Sequence, residues 1–397
     1  MNSIKRPPKK PKANPITAAI TSWLSALPAP PNNNEIDNLL NTSPKRWSLY
    51  EPMVLLPSGS FTSAPWPDLV SSLTPQQMSP LWLAILQNIS PSSKIPLTHL
   101  AVNEGIPLHT SHHGGSEDGE DGEDENLLRS PSSLRPLYGG FGSTNPNIPP
   151  SEEDFNKAFW VSTKQNGITQ VWAPRWTMFS RGNVKEKARV LGFRSSRTGD
   201  GGGKGKWAVD LYAGIGYFVF SYVKMGMRVL CWELNAWSVE GLRRGAEANG
   251  WSVRVVQGDE LDRVKMEDVV RGVEEIVVFL EDNKEAGRKI GALEGLEVVH
   301  VNCGFLPSSE GSWRRAWEIQ RRGLRAAEKG WLHLHQNVAV RDIEGRKREV
   351  QGMMDEWGRG EVKGEVEHVE QVKTFAPGVW HCVFDVCLTK PSVAAVE

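Results

Sequence analysis

The run Asp210-Leu211-Tyr212-Ala213-Gly214-Ile215-Gly216-Tyr217-Phe218 closes an apolar stretch, crosses two glycines and enters a helical pattern. Glycine at such a turn leaves no Cβ between the main chain and a ligand arriving at the carboxyl end of a strand. About 20 residues further on, where a ribose-binding acid belongs, Glu233 ends the next apolar run, and its carboxylate can accept both ribose hydroxyls. A dinucleotide site wants a third glycine where this chain has Val219, so a pyrophosphate fits poorly. A nucleoside without phosphate fits better, which in this architecture means S-adenosylmethionine. The alternative, a strand-turn-helix with no ligand, leaves Glu233 unexplained. An adenine corner belongs after the third strand, where two places compete. Asp259 follows residues 253–257, whereas Asp282-Asn283 follows the stronger run Ile276-Val277-Val278-Phe279-Leu280. We favour Asp282 and Asn283, which makes residues 251–274 an insertion.

The elements that must position these groups are strands at residues 170–176, 207–212, 228–233, 275–280, 298–302, 331–335, 366–373 and 379–388, with helices between them. In the helix over 236–248, Val239, Leu242 and Ala246 share a face, and Asn249-Gly250 supplies the stop. Continuous apolar strands alternating with helices predict an α/β, Rossmann-like domain over residues 166–397. Its sheet is mostly parallel and covered on both faces, and a terminal hairpin gives one antiparallel edge strand. Residues 46–165 read as a smaller α+β accessory domain, with Met53-Val54-Leu55-Leu56 before a turn and a helix over 80–89. Within it, HHGGSEDGEDGEDE offers nothing to bury, so residues 111–133 are expected to form a disordered acidic loop. Residues 199–205 read as a flexible insertion. Residues 1–45 read as a flexible tail, basic at Lys5, Arg6, Lys9, Lys10 and Lys12 and without the apolar core of a secretory signal.

Across the 397 residues, 46 Lys and Arg nearly balance 47 Asp and Glu, so local patches rather than net charge must decide on a nucleic-acid partner. The four cysteines form no C-x-x-C pair, and neither a metal nor a disulfide framework is expected. His333 and His335 alternate with Leu332 and Leu334 on one strand face, a pattern of packed or hydrogen-bonded histidines rather than ligands. No apolar run approaches the ~20 residues that span a bilayer. The expected setting is cytoplasmic.

Several separated motifs carry a resemblance. Met178-Phe179-Ser180-Arg181-Gly182-Asn183 with Glu186-Lys187 and Arg189 precedes the glycine turn. Trp232-Glu233-Leu234-Asn235, Val301-Asn302-Cys303-Gly304-Phe305-Leu306-Pro307-Ser308-Ser309, Leu334-His335-Gln336-Asn337-Val338 and Phe375-Ala376-Pro377 with Trp380-His381 follow in order. Over residues 155–388 the chain resembles the tRNA wybutosine-synthesizing protein 2 family, of fungal type, related to the tRNA guanine-37 N1-methyltransferases. The resemblance implies a class I methyltransferase fold and transfer of the 3-amino-3-carboxypropyl group of S-adenosylmethionine to C7 of 4-demethylwyosine. That base lies at position 37 in the anticodon loop of tRNA(Phe), and 5′-methylthioadenosine is released. It also implies that Ser180 and Lys187 bind the cofactor, Lys187 as a point charge for the methionyl carboxylate. Glu233 would take the ribose, and Asp282 with Asn283 the adenine edge. Asn302 would open the loop that receives the base. Arg314, Arg315, Arg321 and Arg322, on the next helix, are candidates for clamping the RNA. The rival readings are a guanine-37 methyltransferase with the same cofactor, a non-catalytic tRNA-binding scaffold, and a nicotinamide dehydrogenase, which Val219 disfavours.

Overall fold

Eight apolar runs of the C-terminal part pair into one sheet in the computed structural model, which describes residues 13–103, 109–110, 124–125, 134–193, 205–324 and 326–390. The strands are β1 (Trp207–Asp210), β2 (Arg228–Glu233), β3 (Val253–Val256), β4 (Ile276–Leu280), β5 (Val298–Cys303), β6 (Lys329–Ala339), β7 (Lys363–Ala376) and β8 (Val379–Thr389). Their order across the sheet is β3-β4-β2-β1-β5-β6-β8-β7. β8 runs antiparallel to both its neighbours, and the remaining pairings are parallel. Two expectations are corrected here. The antiparallel strand is not the edge: β7 takes the edge, two positions from β6, and the turn at Gly378 (φ 72°) returns β8 into the position between them. Residues 251–274 are not a bare insertion either, because β3 pairs with β4 and extends the sheet.

Helices cover both faces, as strands apolar on both sides require. One face packs against α1 (Val184–Leu191), α2 (Val219–Lys224) and α3 (Ala236–Asn249) through Val190, Phe220 and Leu242. The other packs against α4 (Met266–Arg271), α5 (Ala286–Gly291), α6 (Trp313–Gly323) and α7 (Ile343–Gly358) through Ile290, Trp313, Trp317 and Met354. On the α1 face a polar row crosses four strands, because Asp210, Asn302, His333 and Asp385 are successive cross-strand partners. All four are buried.

The chain divides into two units, Met1–Asn145 with Lys157–Thr163, and Pro146–Asn156 with Lys164–Glu397. The expected boundary at residue 165 thus differs from this division at residues 146–156 and 164–165, which belong to the second unit. In the first unit a four-stranded sheet (Ser48–Tyr50, Met53–Leu56, His99–Asn103, Leu134–Tyr138) is joined by helices Pro15–Ser25, Asn33–Thr42 and Pro75–Ile89. The flexible-tail reading of residues 1–45 is therefore wrong for residues 15–42. Asn14 caps the first helix, whose Ile16, Ala19, Ile20, Trp23 and Leu24 form a buried stripe at helical spacing. Asn32 and Glu35 form a capping box on the second. The prolines that suggested disorder are punctuation around these helices. The basic cluster Lys5–Lys12 and residues 199–204 lie outside the described residues. So does the acidic loop 111–133, apart from Asp124–Glu125, which pair with His109–Thr110.

Candidate functional site

The carboxyl ends of β1, β2, β4 and β5 lie side by side, and the chain leaves β1 there through the glycine turn. Gly214 (φ 53°) and Gly216 (φ 88°) are left-handed. A Cβ on Gly214 would lie 2.7 Å from the Tyr217 ring, and one on Gly216 2.6 Å from the Phe220 ring. Backbone conformation and ring packing both demand glycine. Glu233 holds the turn from the neighbouring strand, Oε2 accepting the Gly214 N–H at 2.8 Å and Oε1 the Asn235 N–H at 2.8 Å. Each oxygen keeps a second acceptor direction for a hydroxyl. Burial raises the pKa of this carboxyl against the pull of those N–H groups. Leu234, beside it, is 47% exposed.

Asp210 supports the turn from beneath. Its Oδ1 accepts the Tyr212 N–H at 3.0 Å and Asn302 Nδ2 at 3.1 Å, while Oδ2 has no partner among the described residues. Burial pushes this carboxyl up to about 7. With no exposed surface, Asp210 positions the turn and does not itself meet a ligand in this conformation. Asn302 is corrected in the same way. β5 runs on to Cys303, so Asn302 lies inside the strand, 1% exposed, and braces Asp210 instead of facing the mouth. The loop proper starts at Gly304. It is pinned to β6 by Ser309 N–H to His335 O at 3.1 Å and Asn337 N–H to Pro307 O at 2.7 Å. Phe305 stacks on Tyr212, with centroids 5.1 Å apart.

Asp282 and Asn283 follow the strand next to Glu233's own, whose register is Glu233↔Leu280. Asn283 is a brace: its Nδ2 donates to Leu211 O at 2.9 Å and its Oδ1 accepts from Arg315 at 2.9 Å. Asp282 is left at the surface, with one oxygen on the Lys284 N–H. Asp259 sits after the edge strand β3, its side chain 85% exposed and paired with Arg263 at 2.8 Å. The topology thus puts Asp282-Asn283, not Asp259, beside Glu233.

Lys187 is 3% exposed. Its ammonium donates to Gln165 at 3.2 Å and to Gln170, and lies 4.9 Å and 5.3 Å from the Phe179 and Tyr217 ring centroids. Gln170 in turn donates to Gly216 O at 3.3 Å, and the Tyr217 hydroxyl donates to Met178 O. The first motif is thereby tied to the turn. Burial, and then the charge of Lys373, push Lys187 down to about 7. A buried ammonium with two amide oxygens for partners and, among the described residues, no carboxylate suits an incoming anion. Ser180 lies on the same side, its hydroxyl 2.8 Å from the Lys373 ammonium and 3.2 Å from Asn183 Oδ1.

The arginines do not form one group. α6 runs from the site end of the sheet to the opposite end, where Gln320 donates to the carbonyl of Val298, the first residue of β5, at 2.6 Å. Arg314 and Arg315 start the helix near the site. Arg321, which meets Glu361 at 3.5 Å, and Arg322 lie at the far end. His333 is bonded to Asp385 at 2.7 Å and His335 to His381 at 2.9 Å. Among the described residues there is no cluster of three or more His, Cys, Asp or Glu placed to hold a metal, and no helix long and apolar enough to cross a membrane.

Comparison with known proteins bears on what this site serves. The chain is 40% identical to tRNA wybutosine-synthesizing protein 2 of Schizosaccharomyces pombe, over 86% of this chain and 72% of that protein. It is 32% identical to the protein of the same name from Saccharomyces cerevisiae, over 95% of this chain and 81% of that one. The chain belongs to the tRNA wybutosine-synthesizing protein 2 family. No protein-family model matches it. Among solved structures, P. horikoshii TYW2 in complex with MeSAdo superposes with a TM-score of 0.55 at 17% identity, covering 94% of this chain and 99% of that one. Trm5b from Pyrococcus abyssi gives 0.51 at 15% identity, over 90% and 78%. At such identities the likeness establishes the class I methyltransferase fold, which this wybutosine-synthesizing family member shares with both.

Sequence reasoning missed three parts of the site in this family member. The amides of Gln165 and Gln170 around Lys187, the Arg315 brace on Asn283, and Lys373 beside Ser180 all come from elements remote in the chain. No local spacing announces them.

Proposed function

We propose that this protein transfers the 3-amino-3-carboxypropyl group of S-adenosylmethionine to C7 of 4-demethylwyosine at position 37 of tRNA(Phe), releasing 5′-methylthioadenosine, in the cytoplasm. Membership of the wybutosine-synthesizing family makes it a transferase of tRNA modification. The observation that carries the finer reading is the Lys187 ammonium, buried with neutral partners next to the glycine turn. Glu233 would hold the ribose and Asp282 the adenine edge, while Asn283, Asp210 and Asn302 fix the strand ends that carry them. Lys187 would take the methionyl carboxylate. When bound, S-adenosylmethionine supplies an electrophilic carbon whose leaving group is a neutral thioether, so the leaving group needs no general acid. The chain's contribution is orientation: the carbon turned toward the base decides the product. Methylation of guanine-37 is the alternative, and it would use the same nucleoside site. The purified protein, S-adenosylmethionine and tRNA bearing the tricyclic precursor separate the two. Methylthioadenosine is expected as the by-product, and S-adenosylhomocysteine instead would overturn the proposal.

The Lys187 pKa gives this reading a pH signature. An anion bound to the ammonium raises its pKa above the ligand-free value of about 7, so binding takes up a proton at higher pH. Affinity for S-adenosylmethionine should be greatest below pH 7. It should then fall toward a tenfold loss per unit above it, until the bound-state pKa is reached. Calorimetry at several pH values checks this, with Lys187→Met as the reference that lacks this component.

RNA binding should divide along α6. Joint Arg314→Ala and Arg315→Ala substitution is expected to weaken tRNA binding and to flatten its salt dependence by about one unit of slope for each phosphate no longer neutralised. The Arg321→Ala, Arg322→Ala pair should bind as wild type does. Filter binding across a salt series distinguishes the two.

A further inference from the structure

Lys373 is the most conspicuous charge near the site that the family motifs leave unused. It lies on β7, far from the glycine turn in sequence, and its direction is set by a defect in that strand. Gln371 pairs with Cys382 and Lys373 with His381, so two steps along β7 match one along β8, and Val372 is the extra residue of a bulge. Side chains alternate faces along a strand, so without the bulge Lys373 would share the face of Gln371 and Cys382. Cys382 belongs to the core on the α6 and α7 side. With the bulge, Lys373 turns with His381 to the opposite face, the one α1 covers.

There its stem packs over Gly182, where a Cβ would come within 2.5 Å of the Lys373 Cδ. Its ammonium donates to Ser180 Oγ at 2.8 Å. The Ser180 hydroxyl has Asn183 Oδ1 to donate to, which leaves its lone pairs for Lys373. An ammonium has three N–H groups. Among the described residues, Lys373 therefore has two to spare and Lys187 one. No carboxylate answers either charge among the described residues. Glu370, three residues back on β7, is occupied by Lys185 at 2.7 Å and His368 at 3.1 Å. Glu186, next to Lys187, is held by Arg189 at 2.6 Å. Burial lowers the pKa of Lys373, and its charge in turn lowers that of Lys187, so the two ammoniums feel each other. One buried and one partly buried cation on one face, with no anion between them among the described residues, are costly unless an anion joins them.

We propose that Lys373, with Lys187 and Ser180, forms a two-lysine site that grips the carboxylate of the group being transferred and so fixes which carbon of the sulfonium faces the base. This rests on the functional reading above and adds to it a residue that determines specificity. Its chemistry is distinctive, because the carboxylate leaves with the product base while the nucleoside by-product lacks it. A residue reading that carboxylate must therefore discriminate between the two ligands. An RNA phosphate is the other anion that could answer Lys373, but the ammonium is turned inward onto Ser180.

The test uses the full chain without tRNA. Calorimetry compares S-adenosylmethionine with 5′-methylthioadenosine on wild type, Lys373→Met, which keeps the stem over Gly182, and Lys373→Arg. Lys373→Met is expected to weaken S-adenosylmethionine about tenfold, the lower end for a charged hydrogen bond at a partly buried site. Methylthioadenosine should stay within about twofold, and Lys373→Arg should recover most of the loss. If both ligands weaken together, Lys373 merely supports the fold and the proposal is wrong. If S-adenosylmethionine is unaffected while tRNA affinity falls, Lys373 reads phosphate and the proposal is equally wrong. Should Lys373→Met not fold, Lys373→Gln gives the same comparison. A wild-type protein that bound no S-adenosylmethionine would instead refute the functional reading on which this one rests.

Discussion

Replacing Arg189 by Met is expected to destabilise the second unit by about 3–5 kcal/mol, the cost of leaving buried charge without its partner. Arg189 stands between two carboxylates. It meets Glu186 at 2.6 Å and 2.8 Å and Asp385 at 3.1 Å, with a further bond from its other terminal nitrogen to Asp385. Glu186 is fully buried and Asp385 is 1% exposed, so neither can turn to water when the guanidinium is gone. His333 shares Asp385 at 2.7 Å and touches His300 at 3.0 Å, which continues the chain beneath the sheet. The consequence is local as well as global, because Glu186 and Arg189 flank Lys187 on α1. A melting shift of about 10 °C, judged from the usual entropy of a unit this size, should accompany a loss of S-adenosylmethionine affinity. A shift of under 2 °C would mean that the cluster is solvated and that its charges need no partner. The effect has a pH signature too. Burial alone would raise the pKa of Asp385, but the His333 and Arg189 contacts outweigh it and hold the carboxyl below its ordinary value. A lowered carboxylate pKa stabilises the fold above the unfolded value, and that increment is lost as pH falls through the folded one. The gap between wild type and variant should therefore narrow in acid.

The second large effect is on the ligand. Glu233→Ala is expected to weaken S-adenosylmethionine by about 1.5–3 kcal/mol, the range for hydrogen bonds to a charged group. Two losses combine. The ribose hydroxyls lose an acceptor, and the Gly214 and Asn235 N–H groups lose the oxygens that fix the turn. Glu233→Gln separates them, since its one remaining acceptor oxygen can hold only one of the two N–H groups. Calorimetry should find Gln between Ala and wild type. Equal affinity for Glu233→Ala and wild type would remove Glu233 from the nucleoside site. Methylthioadenosine should weaken in parallel, because it keeps the ribose, and this is the opposite of the pattern expected for Lys373.

What the sequence by itself determined is local. Gly214 and Gly216 are legible because a turn with positive φ excludes other residues, and Glu233 because an acid at a strand end about 20 residues on has a stereotyped place. The bounds of β2 and the extent of α3 follow from apolar runs and the Asn249-Gly250 stop. The helices at residues 15–42 were legible in principle, through Ile16, Ile20 and Trp23, but the prolines around them spoke louder. Tertiary structure alone decided which strand became β2's neighbour. That choice puts Asp282 rather than Asp259 beside Glu233, and it depends on pairing between segments rather than on either segment's pattern. It alone decided that α6 carries its arginine pairs to opposite ends of the sheet. It also decided that one extra residue in β7 turns Lys373 toward Ser180. A bulge leaves no mark in composition or periodicity, because it is a mismatch between two strands and exists only once they have paired.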